Sequence, residues 1–221
     1  MGTWKKSVLA LWMLALVVGC AKDPSEGVAK AKVEPAAAPT KAAPPTKAAP
    51  ALVSIQLSGS VLFTGSKVTG SHACQLTDTK GTLGLTGDDL TKASLDFQAS
   101  TTGLHCDPDS RTEWSPKLEK HLRSEDFFWS SQYPTASFQS SSIEASAQKG
   151  EHTHDVKGQL TLRGITKTVT FPAIITLSKE KVSGKATFSI NRKDFGIEYP
   201  GKVDDLIRDN VVLEVTLEGT R

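Results

Sequence analysis

Apolar and polar residues alternate along six short segments between residues 53 and 218 of this chain. Each segment places apolar side chains on one face and polar side chains on the other, which is the pattern of a strand that buries one face. The clearest examples are 53–58, 94–100, 159–163, 168–171, 185–190 and 211–218. Turn residues separate the segments, among them Gly65 and the pair Ser183-Gly184. The pattern predicts roughly eight one-sided strands, mostly antiparallel because their connections are short.

Residues 52–221 are numerous enough to form one domain with a sizeable core. An antiparallel chain of this length must close into a barrel or fold into a sandwich to cover its strand edges. An eight-stranded barrel can be filled by its own side chains or can hold one small apolar ligand. One stretch favours a helix, with Ser115 as the N-cap, Pro116 at the first helical position and an end near Arg123. The fold class predicted is therefore all-β with one short helix.

The first twenty residues have the order of a secretory signal peptide. Lys5 and Lys6 are followed by the uncharged apolar run 8–18 and then by Gly19 and Cys20. The run is shorter than the roughly 20 residues that a membrane-spanning helix needs. Gly19-Cys20 resembles the lipobox of bacterial lipoproteins, in which residues 1–19 are removed and Cys20 becomes the lipidated first residue. An ordinary cleaved secretory protein and an uncleaved anchor are the alternatives.

A lipidated Cys20 would anchor the chain to a membrane of the bacterial cell envelope through acyl chains such as palmitate, facing the periplasm. Ala21 in place of an aspartate favours the outer membrane. The following residues, 21–51, are rich in Ala, Pro and Lys and contain no aromatic residue. Such a composition predicts a disordered linker, and the prolines stiffen it to a maximum reach of about 90 Å. We therefore expect the segment 20–51 to be a lipidated cysteine and a spacer that holds the domain away from the membrane.

The formal net charge of +2 gives no reason to expect a nucleic-acid partner. Motifs of hydrolases, metalloproteases and phosphate-binding loops are absent from the sequence. His152 and His154 fall on one face of an extended segment and form a candidate metal pair, although a solvated strand end explains them better. We expect no enzyme activity and no metal site.

Four blocks of sequence stand out in order along the chain: Ser66 to His72, His121 to Phe128 with Tyr133 to Phe138, Gly158 to Lys167, and Asn191 to Ile197. Together they resemble the YceI-like family of bacterial exported proteins. The resemblance implies a lipocalin-like, extended antiparallel β-barrel over residues 52–221. It also implies a bound isoprenoid lipid, such as a quinone or a polyprenyl chain, with no catalytic activity and no other cofactor. Whether the protein forms a homodimer stays open.

Strand phase gives candidate residues for an apolar bore, each of which is also a plausible core residue. These candidates are Phe63, Phe97, Phe138, Leu160, Leu162, Phe171, Ala186 and Phe188. Four polar residues inside the family blocks are candidates either for holding a ligand headgroup or for a structural role: His72, His121, Arg192 and Asp194. For the last two, an ion pair that locks a bend after residue 190 is the favoured interpretation.

Cys74 and Cys106 depart from the simplest pattern of the family. In an exported protein whose Cys20 carries lipid, these are the two remaining thiols, and they form a candidate disulfide. Two functions remain in view at this point. The first is an envelope-tethered protein that holds an isoprenoid lipid inside its barrel for carriage, sequestration or stress response. The alternative is a filled barrel that acts as a non-catalytic interaction module.

Overall fold

The computed structural model describes residues 21–36, 52–147 and 151–221, with only the backbone of Leu52. Residues 1–19, Cys20 and residues 37–51 of the predicted linker lie outside this part of the chain. The strands in chain order are β1 (Lys32–Pro35), β2 (Leu52–Lys67), β3 (Gly70–Leu76), β4 (Thr79–Thr86), β5 (Ser94–Ser100), β6 (Leu104–Cys106), β7 (Thr135–Ala145), β8 (His154–Leu162), β9 (Ile165–Leu177), β10 (Lys181–Asn191), β11 (Gly201–Lys202), β12 (Asp205–Leu206) and β13 (Asn210–Thr220). The helical elements are α1 (Ser115–Leu122) and two 3₁₀ helices, Leu90–Lys92 and Arg192–Phe195.

Eight strands close into an antiparallel barrel in the order β2, β4, β5, β7, β8, β9, β10 and β13. Closure depends on β2, which is long enough to have three neighbours. One of its edges pairs first with β4 and then with β3, and the other edge pairs with β13 from Ser58 to Thr64. Closure joins the first and last strands of this order, so the sheet has no outer edge strand, although β9 and β10 pair over only part of their length. The predicted all-β barrel with one short helix is confirmed.

The alternation predicted from sequence sets the inner and outer faces of the wall. On β10, Val182, Ala186 and Phe188 are buried, whereas Lys185 and Thr187 between them are exposed. The inward residues of the barrel pack into two adjoining apolar clusters, one around Phe63 and one around Phe188. The period of two residues therefore continues through the wall and places a continuous apolar surface inside it.

Two turns predicted from glycine are wrong. Gly65 lies within β2, and Ser183-Gly184 lies within β10. The turn between β9 and β10 comes earlier, where the Ser178 N–H donates to the Lys181 carbonyl oxygen over 2.9 Å. Glycine inside a strand commonly marks a place where a side chain would collide with a neighbour or would occupy space that the structure leaves open. Gly65 and Gly184 both face the barrel interior.

A short two-stranded extension of the wall is formed by β3 and β6. Cys74 on β3 lies directly opposite Cys106 on β6, and the two are joined by a disulfide with 4.0 Å between their Cα atoms. The bridge spans a sequence separation of 32 residues. It fixes the chain that leads into α1 to the second half of β2, through β3.

The helix α1 covers one end of the barrel and is held there by a buried carboxylate. Glu119 Oε1 accepts the Cys106 N–H over 3.0 Å and lies 2.6 Å from Nη1 of Arg111. The helix begins one residue earlier than predicted, with Trp114 in the cap position. Ser115 is its first residue, and its hydroxyl accepts the N–H of Thr112 rather than capping the helix.

The N-terminal segment 21–36 is not a disordered spacer, so that part of the linker prediction is wrong. β9 and β10 pair only over Ile174–Leu177 and Val182–Lys185, and then they separate. The segment fills the gap: β1 pairs with β9, while the Ala31 N–H donates to the carbonyl oxygen of Ser189 on β10 over 2.9 Å. Main-chain hydrogen bonds hold this segment, and these do not require an apolar composition. The prediction of disorder for residues 37–51 stays untested.

Removing the disulfide should lower the stability of the barrel. For the double variant Cys74→Ala and Cys106→Ala we expect a loss of about 3–4 kcal/mol in the free energy of unfolding, because the open chain regains loop entropy. Urea unfolding followed by circular dichroism measures this loss. The wild-type protein under reducing conditions should lose a similar amount, and an unchanged midpoint in both samples would refute the prediction.

Glu119 should make the stability of the protein dependent on pH. The hydrogen bond from Arg111 holds the pKa of the Glu119 carboxyl below its ordinary value, against the opposing effect of burial. A carboxyl with a lowered pKa stabilises the fold above the pKa of the unfolded chain and loses this contribution as the pH falls through the folded value. Glu119→Gln should therefore unfold more easily than wild type at pH 7. In thermal melts the difference should shrink below about pH 4, and a difference independent of pH would contradict this role.

Candidate ligand cavity

An apolar cavity of about 240 Å³ runs through the barrel interior. Among the described residues that line it, all are apolar except Ser137, Lys185 and Arg192. On β10 the lining extends from Gly184 to Ile190 and on β13 from Val211 to Leu217, which is about 20 Å along each strand. The interior is therefore long, narrow and apolar, and it is not filled by its own side chains.

The structure brings together all eight residues predicted from strand phase. The cavity wall includes Phe63, Phe97, Phe138, Leu160, Leu162, Phe171, Ala186 and Phe188. Three of the rings form a row in which Phe171 stacks on Phe188 at 4.2 Å and contacts Phe138 at 5.5 Å between centroids. Packed aromatic rings of this kind give a stiff apolar wall.

Glycines set the shape of the cavity. At Gly184 and Gly65, both on the wall, an added Cβ atom would have no neighbour within 4 Å. At Gly158 on β8, a Cβ would collide with the ring of Phe138 and with the carbonyl oxygen of Gln139. Gly158 thus lets the Phe138 ring lie flat against β8, while Gly184 and Gly65 leave the space open.

Several wall residues were missed by sequence reasoning because they do not lie on strands. Leu122 at the end of α1, with Phe127 and Phe128 in the loop after it, closes one end of the cavity. Phe128 packs edge-on against Phe63 at 5.4 Å. The sequence does show two adjacent phenylalanines, Phe127 and Phe128, shortly after the predicted helix. Alternation along strands gives no position for residues in a loop, so it could not assign them to the wall.

The loop that follows α1 is fixed to the barrel by the turn between β8 and β9. Arg163 Nη1 donates to the Phe127 carbonyl oxygen over 3.0 Å. Arg163 and Gly164 both have positive φ, 53° and 72°, as the central residues of a tight hairpin turn require. The cap over the cavity is thus attached to the wall from two sides, through α1 and through this turn.

Arg192 lies buried at the same end and makes its hydrogen bonds to backbone carbonyls. Its Nε donates to Arg208 over 3.1 Å, and Nη1 donates to Ile197 over 2.6 Å. Nη2 donates to Ile207 over 3.3 Å and lies 3.4 Å from Oδ1 of Asp209. Burial lowers the pKa of the guanidinium, and the charge of Asp209 partly offsets this effect.

The predicted partner of Arg192 is wrong. Asp194 lies in the first turn of the 3₁₀ helix and is half-buried, while the acid beside the guanidinium is Asp209. The arginine locks the bend after β10, as expected, but it does so by joining the 192–197 segment to residues 207–209. A guanidinium has five N–H donors, and these contacts use four of them, so one remains for any ligand group.

The family assignment follows from this fold and from a direct comparison. The sequence model of the YceI-like domain family matches residues 48–219. The chain belongs to the YceI-like domain family. The match begins after the N-terminal segment that fills the gap between β9 and β10, so that segment is an addition to the YceI-like domain.

Relatives by sequence include Pseudomonas proteins named UPF0312 protein. One from Pseudomonas putida is 36% identical over 116 residues, which are 49% of this chain and 57% of the relative. One from Pseudomonas fluorescens is 33% identical over 129 residues, 55% of this chain and 64% of the relative. The matched part of this chain thus spans under two thirds of the length of these relatives.

Two solved structures share the fold. Burkholderia cenocepacia BcnA aligns with a TM-score of 0.56 at 18% identity, covering 72% of this chain and 95% of that chain. A polyisoprenoid binding domain from Saccharophagus degradans, implicated in plant cell wall breakdown, aligns with a TM-score of 0.56 at 14% identity. That alignment covers 77% of this chain and 99% of that chain.

The YceI-like sequence blocks gather at one end of the barrel. Ser66 to His72 form the tip of β2 and β3, and His121 to Phe128 form the cap. The turn at 163–164 and the segment 191–197 complete this end. We call it the capped end. The recognisable residues therefore form the cap and its attachments, and they also supply Phe138, Leu160 and Leu162 to the bore wall.

His72 and His121 lie outside the cavity wall. His72 Nδ1 is 2.9 Å from Asp107 Oδ2 on the surface of the β3 extension. His121 Nε2 is 2.9 Å from Asp126 Oδ2, and its ring meets the rings of Phe127 and Tyr199 edge-on at 5.0 and 4.9 Å. His121 contacts the wall residue Phe127, and His72 pairs across the strands with the wall residue Gly65, so both histidines lie beside the capped end of the cavity.

The histidine pair near β8 does not gather further ligands. His154 Nδ1 lies 2.7 Å from the Thr153 hydroxyl, and burial lowers the pKa of its imidazole. Within 21–36, 52–147 and 151–221, no group of three or more His, Cys, Asp or Glu residues is arranged to hold a metal ion. The same ranges contain no helix that is long and apolar enough to cross a membrane.

Arg192 should be essential for the stability of the capped end. Arg192→Lys keeps the charge but cannot reach three carbonyl groups at once, so we expect a loss of at least about 2 kcal/mol in the free energy of unfolding. The control is Lys193→Met at the neighbouring exposed ion pair with Asp209, which should change stability by less than about 1 kcal/mol. Urea titration of the three proteins measures both effects, and equal losses in the two variants would refute the assignment.

Proposed function

We propose that this protein is a non-catalytic binding protein that holds the chain of an isoprenoid-type lipid inside its barrel. A quinone or a polyprenyl chain fits this class. The protein would carry or sequester the lipid at the cell envelope, where Cys20 would anchor it. The observation that supports the proposal most directly is the long apolar cavity, whose wall offers almost no polar partner.

Burial of the ligand's hydrocarbon would supply the binding energy, at about 25 cal/mol for each Å² removed from water. A polar headgroup has few places on this wall, because an unpaired polar group buried in apolar surroundings is costly. We therefore place the tail in the bore and the head at the capped end. There Arg192 lines the cavity, and the His121–Asp126 pair lies beside Phe127, which also lines it.

The fold neighbour from Saccharophagus degradans supports the ligand class, since it is a polyisoprenoid binding domain with the same barrel. The open cavity speaks against the alternative of a filled barrel that acts only as an interaction module. That alternative required an interior occupied by its own side chains, and Gly65 and Gly184 leave this one open.

The first test identifies the ligand. Full-length protein purified from the envelope of its own bacterium should release an isoprenoid lipid in near-stoichiometric amount on organic extraction. Native mass spectrometry of the same sample should show the added mass. A protein that is empty from its source and takes up neither a quinone nor a polyprenol in vitro would overturn the proposal.

The second test places the ligand in the bore. Ala186 is buried and lines the cavity, so Ala186→Phe should fill part of it and weaken lipid binding by at least about tenfold with little loss of fold. The matched control is Thr187→Phe, one residue along β10 on the exposed outer face, which should leave affinity unchanged. Fluorescence quenching by a quinone measures both variants. Unchanged affinity in a folded Ala186→Phe protein would exclude this location.

A further inference from the structure

Ala21 is fixed to the capped end of the barrel. Its N–H donates over 3.1 Å to the carbonyl oxygen of Val68, in the turn between β2 and β3. Its own carbonyl oxygen accepts from Nη2 of Arg208 over 2.8 Å. Arg208 Nε also lies 3.5 Å from Oδ2 of Asp23. Ala21 is thus held beside this turn, one residue along the chain from Cys20.

Apolar side chains are exposed at the same place. Val203, in the hairpin formed by β11 and β12, is 97% exposed, Leu206 is 50% exposed and Val68 is 37% exposed. The hairpin is bonded to the turn between β2 and β3. Asp205 accepts the Thr69 N–H over 3.1 Å, and the main chains of Lys67 and Ile207 form an antiparallel β-bridge. Ala21, the turn and the hairpin therefore form one surface.

This surface is also the outer side of the closed end of the cavity. Ile207, directly after the hairpin, lines the cavity, and so does Gly65, just before the turn. The distance from the exposed hairpin to the bore is thus only one or two residues along the chain. A molecule entering or leaving at the capped end would pass next to Val68 and Leu206.

We infer that the surface made by Val68, Val203 and Leu206 rests on a lipid bilayer, with the capped end of the barrel facing the membrane. This inference rests on the proposed anchoring through Cys20 and on the proposed lipid ligand. The occupant is a bilayer because acyl chains on Cys20 would enter the membrane within one residue of Ala21. Exposed valine and leucine side chains beside such an anchor gain by entering the same apolar layer.

The arrangement reverses the expected use of the Ala/Pro/Lys-rich segment. Residues 37–51 follow the docked segment 21–36 instead of separating it from Cys20, so they cannot hold the barrel away from the membrane while that segment stays docked. The barrel is therefore close to the bilayer, and an isoprenoid chain can move between bilayer and bore without crossing a wide layer of water.

The test measures which end of the barrel enters the bilayer. Full-length protein is labelled with an environment-sensitive fluorophore at Val203→Cys and reconstituted into vesicles of phosphatidylethanolamine and phosphatidylglycerol. The native pair Cys74 and Cys106 is bridged and takes no label. The control is Val53→Cys, 39% exposed near the start of β2, at the opposite end of the barrel. We expect a blue-shifted emission at position 203 and an aqueous emission at position 53.

Aqueous emission at both positions, or failure of the chain to associate with the vesicles, would overturn the inference. A second variant separates it from the proposed ligand binding. Val203→Ser with Leu206→Ser should slow the transfer of quinone from vesicles by about tenfold, while affinity for quinone delivered in detergent stays at the wild-type value. Loss of binding in detergent as well would show that these residues serve the bore and not the membrane contact.

Discussion

Closure of the barrel by β2 is the constraint on which the rest of the structure depends. The second half of β2 pairs with β13 on one edge and with β3 on the other, while the first half pairs with β4. Because one strand fixes three neighbours, the phase of its alternation determines which face of each neighbour points inward. A slip of one residue in β2 would turn Val61 and Phe63 outward and expose the apolar lining to water. The bore, the cap and the extension that holds the disulfide all depend on this register.

How much the sequence could predict follows from the range of the interactions involved. Alternation is a local pattern, so the sequence alone predicts which residues of β10 and β13 point into the barrel, Phe188 among them. The pairing of Arg192 with Asp209 joins residues that are 17 apart, and the nearer acid, Asp194, attracted the prediction instead. The cap residues Phe127 and Phe128 lie in a loop whose position depends on Arg163 and on α1. No periodic pattern encodes such a placement.

The N-terminal segment shows a different limit of sequence reasoning. Composition indicates whether a segment can form its own core, and residues 21–36 contain no aliphatic side chain larger than valine. It does not indicate whether the folded domain offers unpaired main-chain groups. The separation of β9 from β10 leaves such groups; β1 pairs with β9, and Ala29 and Ala31 bond to Ser189 on β10, although these residues lie outside the matched YceI-like domain. This chain has thus completed its wall with residues that its family pattern does not include.

The N-terminal segment 21–36 is attached to the barrel at two successive places along the chain, first at Ala21 and Asp23 and then at β1. A pull transmitted from Cys20 would first load the bonds of Ala21 and Asp23 to Val68 and Arg208. Only after these yield would tension reach β1 and the wall between β9 and β10. With the anchor proposed at Cys20, the contacts at Ala21 would therefore take up a pull on the chain before it reached the wall of the bore.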